Sequence, residues 1–183
     1  NPTTRASTGY YTAFVGFGLV TAALGPSLDV LSDRAGVGLG TIAVLFTVNS
    51  VGYTLAAMVF GRRFDTRPGH PMLAGWIALT GLATVGLALS GSLTMLIITV
   101  FLIGVGGGGI DVGSNTLIVR TRRNSPQWLV GLHAMFGVGA SVAPLILALS
   151  RTSTHGGIEA GLLSMAAVFA LALAFVVSTP SPP

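Results

Sequence analysis

Cysteine is absent from this chain, and so is lysine. Without cysteine there are no disulfides, no thiolate nucleophile and no cysteine-bound metal. The three histidines, His70, His133 and His155, share no HExxH-like spacing, so no metal site and no cofactor are expected. Charge is scarce as well. Only 8% of residues are charged, against about 25% in a soluble domain. That scarcity excludes an ordinary soluble fold, and no nucleic-acid partner is expected. The net charge of +4 is carried by arginine alone, which we read as compositional bias.

What is present is apolar sequence, 51% of the chain. A membrane-spanning helix needs about 20 mostly apolar residues. Runs that long occur at about 10–30, 39–60, 71–90, 93–117, 128–149 and 158–178. The first is longer than a signal-peptide core and the pattern then repeats, so it reads as a spanning helix. Residues 1–178 are thus expected to form one all-α bundle of six transmembrane helices, integral to a lipid bilayer. The chain opens on "NPTTRASTGYY", without an initiator Met, and ends on "STPSPP". It therefore reads as a piece of a longer protein, with 179–183 as a truncated tail or the start of a central cytoplasmic loop. Arginine counts give an orientation. With the N-terminus inside, Arg5, Arg62, Arg63, Arg67, Arg120, Arg122 and Arg123 fall on the inner side and only Arg34 and Arg151 on the outer. That asymmetry places both termini in the cytoplasm. The short breaks between runs leave no room for a catalytic domain outside the membrane.

The stretch "GVGGGGIDVGSNTLIV", from Gly104 to Val119, combines helix-weakening glycines with a carboxylate in an apolar run. Its formal GxGxxG is no nucleotide fingerprint, because no strand precedes it and no acidic residue follows at the required distance. On a helix, Gly104, Gly108, Asp111 and Asn115 form one stripe. The two glycines admit a neighbouring backbone, as a packing seam does. Asp111 is costly in hydrocarbon, and an intramembrane ionisable group is a functional candidate facing a cavity. It lies nine residues before Arg120, about 13 Å from the inner surface. His133 lies ten residues after Arg123, about 15 Å deep. The two are therefore at one level, though their facing is open, and His133 reads equally well as a structural histidine. Asn49, about 20 Å from the inner end, is a polar candidate whose plainer role is a helix–helix hydrogen bond. An apolar setting favours a protonated carboxyl and an opened aqueous path an ionised one. Such a group can couple proton flow to a conformational change.

Between the second and third runs lies "GRRFDTRPGHP". Gly61 permits a tight helix end, and Asp65 stands among Arg62, Arg63 and Arg67. A carboxylate there can lock one arrangement of helix termini and release another. The arginines themselves read most simply as topogenic charge.

Taken together, these residues resemble the N-terminal half of a major facilitator superfamily transporter. The six runs and the G-x-x-x-D loop carry the resemblance. Gly61 and Asp65 match the family's loop, Gly69 comes one residue late, and His70 stands where a basic pair is usual. "GGIDVGSNTLIV" resembles the acidic residue and following Asn of the fucose permease and sodium-dependent glucose transporter-like branch. "GLHAMFGVGASVAP" is similar to that branch's LHxxFGxGAxxxP segment. The fucose permease pattern also has a carboxylate in its first helix, whereas this chain has none there before Asp29.

The resemblance implies half of a twelve-helix fold made of 3+3 inverted repeats, with the substrate held at the midplane between halves. It implies a central cavity lined by Asp111, Asn115 and His133, a small polar solute such as a sugar, and a proton or sodium ion for coupling. Internal repetition is faint, with "NSVGYTLAA" and "FGVGASVAP" at comparable places. The missing C-terminal half, or a second copy, would complete the path. The expected function is secondary active transport by alternating access, proton-coupled sugar uptake, in a bacterial inner membrane. The alternatives are a non-transporting six-helix scaffold or sensor, or an exporter of a different solute. An enzyme is not expected: Ser141 and His133 are eight residues apart on one helix, over roughly 10 Å by rise.

Overall fold

A long apolar run must satisfy its backbone internally in lipid, and a helix does so. The computed structural model describes residues 2–60, 68–153 and 157–181, and among these there is no strand. The helices are α1 (Pro2–Ala35), α2 (Leu39–Ile42), α3 (Val44–Phe60), α4 (Gly69–Leu89), α5 (Leu93–Thr121), α6 (Ser125–Ser153) and α7 (Glu159–Val177). With α2 and α3 taken as one crossing, six are long and apolar enough to span a membrane.

Helix length differs from apolar length. α1 runs past the expected 10–30 at both ends, and α6 runs past 128–149. Hydroxyls sustain the extra turns by donating to carbonyls one turn back. Ser7 Oγ donates to Thr3 O at 3.0 Å and Thr12 Oγ1 to Thr8 O at 2.8 Å. Ser153 does the same to Leu149 at 2.9 Å. The apolar run reports bilayer thickness, while the helix ends where its hydrogen bonds do. α1 ends at Gly36, whose φ of 64° is the left-handed conformation that glycine adopts freely. Val37 N–H then reaches Ser32 O at 3.1 Å and Gly36 N–H reaches Asp33 O at 3.2 Å, which is a Schellman closure. The second crossing, expected as one run over 39–60, is interrupted at Ala43, where Phe46 N–H bonds Ala43 O at 3.1 Å.

Neighbours follow an order that repeats. α1 packs on α6 and on α7, α5 packs on α3 and on α4, and α4 packs on α7. Exchanging α1–α3–α4 for α5–α6–α7 maps this set of pairs onto itself. The two triplets run in opposite directions, so the bundle is a pair of inverted repeats. Glycines give the register residue by residue. A Cβ on Gly18 would overlap Phe136 O and approach Ala140 N, and one on Gly139 would overlap Val15 O and approach Leu19 N. In the other pair, Gly104 meets Asn49 O and Tyr53 N, and Gly52 meets Phe101 O and Val105 N. One shift in numbering carries Val15, Gly18 and Leu19 onto Phe101, Gly104 and Val105. A second carries Asn49, Gly52 and Tyr53 onto Phe136, Gly139 and Ala140. Each glycine thus lies over a helical hydrogen bond of the opposite helix, and backbone-to-backbone approach takes the place of interdigitated side chains.

The bundle has two ends, named here by their arginines. At the Arg34 end, Arg34 pairs with Glu159 of α7 at 2.5 Å and donates to Ala88 O of α4 at 3.2 Å. Arg151 of α6 reaches both oxygens of Asp29, at 2.9 and 2.5 Å. At the Arg122 end, Arg122 donates to Thr3 O at 3.0 Å and to Ser7 Oγ at 2.8 Å, with its guanidinium 4.0 Å from the Trp128 ring centre. His70, which the sequence placed among loop charges, is instead 3% exposed. Its Nδ1 lies 3.1 Å from Thr179 O, a carbonyl that can only accept, so Nδ1 carries the proton. Nε2 then accepts from Tyr10 OH at 2.5 Å.

Candidate functional site

Four helices, α1, α3, α5 and α6, surround a cleft of about 360 Å³. Asp111 lines it from α5 and His133 from α6. The two residues expected at one level therefore share one cavity. Asn49, Ser50, Tyr53 and Thr54 line it from α3, and Thr21 from α1. The remaining wall is aromatic: Phe14, Phe17 and Phe136.

The seam glycines determine why Asp111 meets what it meets. Gly108 lies against Tyr53 O, as Gly104 lies against Asn49 O, so α3 comes close enough for its side chains to reach across α5. Tyr53 OH donates to Asp111 Oδ2 at 2.5 Å. Asn115 Nδ2 donates to Asp111 Oδ1 at 2.7 Å and to the Asp111 carbonyl at 2.8 Å. Both carboxylate oxygens thus accept from uncharged donors. Charge-assisted bonds of this kind are short and strong. Both oxygens of Asp111 are thus satisfied by uncharged side chains, one from α3 and one from α5.

Asn115 serves this purpose from the side, and the cleft wall does not include it. Asn49 lines the cleft and also donates to Val100 O of α5 at 3.3 Å, the helix–helix hydrogen bond of its plainer role. Gly104 and Gly108 lie in the α3–α5 seam. Gly61, Arg62, Arg63, Asp65 and Arg67, the suggested gate loop, lie outside the described residues. Among the described residues no group of three or more His, Cys, Asp or Glu side chains could hold a metal ion.

Sequence reasoning passed over Tyr53 and the aromatic wall. Tyr53 stands four residues after Asn49, on the same helix face, and that spacing was the available signal. Its ring stacks on Phe17 with centroids 6.1 Å apart and planes at 10°. Phe17 turns an edge to Phe136 at 5.1 Å, and Phe14 meets His133 edge-on at 5.8 Å. Gly107 makes this shelf possible, because a Cβ there would strike the Phe17 ring. The cleft thus sets flat apolar ring faces beside a carboxylate and one amide, that of Asn49.

Residues 10–183 match the family model described as Major Facilitator Superfamily. The chain belongs to the major facilitator superfamily. Within this superfamily it is similar to the mouse (Mus musculus) protein named sodium-dependent glucose transporter 1A, 28% identical over 142 residues, covering 76% of this chain and 33% of that protein. It is 30% identical over 147 residues to the rat (Rattus norvegicus) sodium-dependent glucose transporter 1, covering 78% and 30% of the two chains. The zebrafish (Danio rerio) protein of that name is 25% identical over 154 residues, covering 81% and 26%. This superfamily member thus matches a third or less of the length of these curated relatives. The family and the relatives' names are those of transporters, not of enzymes.

Proposed function

We propose that this bundle forms one side of the path of a secondary transporter that moves a sugar by alternating access, coupled to a cation at Asp111. The observation that carries this reading is the doubly bonded Asp111 carboxylate on the wall of an aromatic-lined cleft. An intramembrane carboxylate facing a cavity marks an ion or substrate path. The aromatic faces of Phe14, Phe17 and Tyr53 suit the apolar side of a sugar ring. Asn49, Thr54 and His133 suit its hydroxyls. A further six-helix half, or a second copy, closes the cleft from the open side. The arginine asymmetry supports cytoplasmic termini, and this reading sets the bundle in a bacterial inner membrane.

The sequence points to a proton and the relatives' names to sodium, and one experiment separates the two. The full-length parent and its Asp111→Asn variant are reconstituted in proteoliposomes, and uptake of a panel of labelled sugars is followed under a pH gradient and, separately, a sodium gradient. Uptake that follows one gradient and loses that dependence in Asp111→Asn identifies the ion and the site. Equal, gradient-independent uptake by both proteins removes Asp111 from the mechanism. No sugar uptake under either gradient sinks the sugar reading and leaves the exporter and scaffold alternatives standing.

A further inference from the structure

We infer that the Tyr53–Asp111 hydrogen bond is a latch that holds α3 against the rest of the bundle and opens when a cation neutralises Asp111. Tyr53 is thereby a positioning residue, acting through Asp111. The inference rests on the reading of Asp111 as the cation site.

The helices are tied in different ways. α1 is stapled at both ends. Arg151 of α6, Glu159 of α7 and Ala88 of α4 hold its Arg34 end. At the other end, Tyr10 meets His70 of α4, Tyr11 OH donates to Trp128 O of α6, and Arg122 reaches Thr3 and Ser7. These bonds join α1 to α4, α6, α7 and the capped end of α5. Among the described residues, two side-chain hydrogen bonds run from the middle of α3 to α5. There, Asn49 makes a long bond to Val100 O at 3.3 Å and Tyr53 makes a short one to Asp111 at 2.5 Å. Phe60 rests on the Trp76 ring of α4 at 4.6 Å, a contact without direction. At its start α3 is parted from α2 by the turn at Ala43.

Among the described residues, the shorter of these two bonds ends on the ionisable group that lines the cleft. The facing ionisable groups are Tyr53 from α3 and His133 from α6, while α1 presents only Phe14, Phe17 and Thr21. Asn115, on the same helix as Asp111, holds the other oxygen. While the carboxylate is charged, the tyrosine bond is charge-assisted. A bound proton or metal ion removes that assistance and weakens the bond about twofold. The glycine seam under it is backbone against backbone, so α3 can shift without unlocking interdigitated side chains. Cation binding in the cleft is thus translated into release of one helix.

The test is a distance measurement that needs no substrate. The chain lacks cysteine, so Met58→Cys on α3 and Val130→Cys on α6 give a defined spin-label pair in it; both side chains are exposed, 76% and 70%. In the full-length parent with any cysteine outside this chain replaced by serine, reconstituted in liposomes, pulsed dipolar spectroscopy is recorded without sodium at high pH, then with sodium, then at low pH. The expected result is a shift of the distance distribution with one of the two cations. Tyr53→Phe, which keeps the ring on Phe17, and Asp111→Asn are expected to show the shifted distribution from the start and no response. A Tyr53→Phe protein that retains both the parental distribution and its response overturns the latch, as does a parent that responds to neither cation. Thermal unfolding of each variant verifies that the helices remain assembled. A latch that moves in a protein that takes up no sugar leaves this inference standing and ends the sugar reading. Gradient-driven sugar uptake with distances unmoved by Tyr53→Phe does the reverse.

Discussion

The α1–α6 seam and the α5–α3 seam share a backbone frame, yet different side chains ride on it. Gly18 and Gly139 in the first correspond to Gly104 and Gly52 in the second, over equivalent carbonyls and amides. The position equivalent to Tyr53 is Ala140, that equivalent to Asp111 is Gly25, and that equivalent to Asn115 is Asp29. The polar group of the first seam lies at its end, where Asp29 takes Arg151. That of the second lies at its middle, where Asp111 takes Tyr53. Close glycine packing fixes helix distance without dictating what is carried beside it. The repeat can therefore supply the scaffold twice, with a carboxylate at the middle of one seam only. The end staple joins two opposite charges, whereas the mid-seam carboxylate is held by uncharged donors and faces the cleft.

The comparison is most open to breakage at the glycines. Gly18→Val and Gly104→Val are each expected to destabilise by about 3 kcal/mol, the upper range for overpacking, because the new atoms meet a backbone carbonyl that no rotamer avoids. Tryptophan fluorescence on heating in detergent measures both. Equal losses support one frame used twice. A Gly18→Val protein that melts with the parent shows that the first seam yields and that the equivalence is only nominal.

The polar residues come next, because there the seams should differ. Asp111→Asn is expected to lower the cation dependence of uptake on the order of 100-fold, near the top of the range for a coupling free energy, with little change in melting. Gly25→Asn, at the equivalent position, has open space around it and is expected to change neither. Loss of coupling in Gly25→Asn would mean that the first seam takes part in the chemistry after all.

Sequence alone exposed the six-helix fold and pointed to three residues that line the cleft, Asn49, Asp111 and His133. The six apolar runs are long, and a run in hydrocarbon has one solution, so the fold was legible. Asp111 stood out because a carboxylate there needs a reason, and Gly104 and Gly108 because they share its stripe. Tyr53 did not, since a tyrosine in an apolar helix is ordinary, and only its partner on another helix gives it meaning. The staples were hidden for the same reason: Arg34 and Glu159 are far apart in the chain, and no periodicity links them. His70 was misplaced because proximity to arginines suggested a loop, whereas Tyr10, from a distant helix, buries it.

A smaller effect separates the end staple from the mid-seam bond. The Asp29 side chain is 59% exposed and that of Arg151 32%. Arg151→Ala is therefore expected to cost no more than about 1 kcal/mol, as exposed pairs do, and high salt should abolish most of the difference. Uptake should retain its cation dependence, because the staple does not end in the cleft. A loss of coupling in this variant would make the two polar groups alike in role, and the distinction between holding and switching would fall.

The smallest effect is the sharpest control on the frame itself. Gly137 and Gly139 are neighbours on α6, two residues apart and so on different faces. Around Gly137 there is open space, whereas a Cβ at Gly139 would overlap Val15 O. Gly137→Ala should leave the fold intact and raise stability by up to about 1 kcal/mol, the helix-propensity difference between the two residues. Gly139→Ala should lower it by more than that gain, as should Gly52→Ala in the other seam. Melting of the three variants side by side separates contact from propensity. If all three shift together, the glycines act through helix propensity alone, and the shared frame loses its physical basis. If Gly137→Ala rises while Gly52→Ala and Gly139→Ala fall equally, the two seams are one construction, and only the side chains beside them differ.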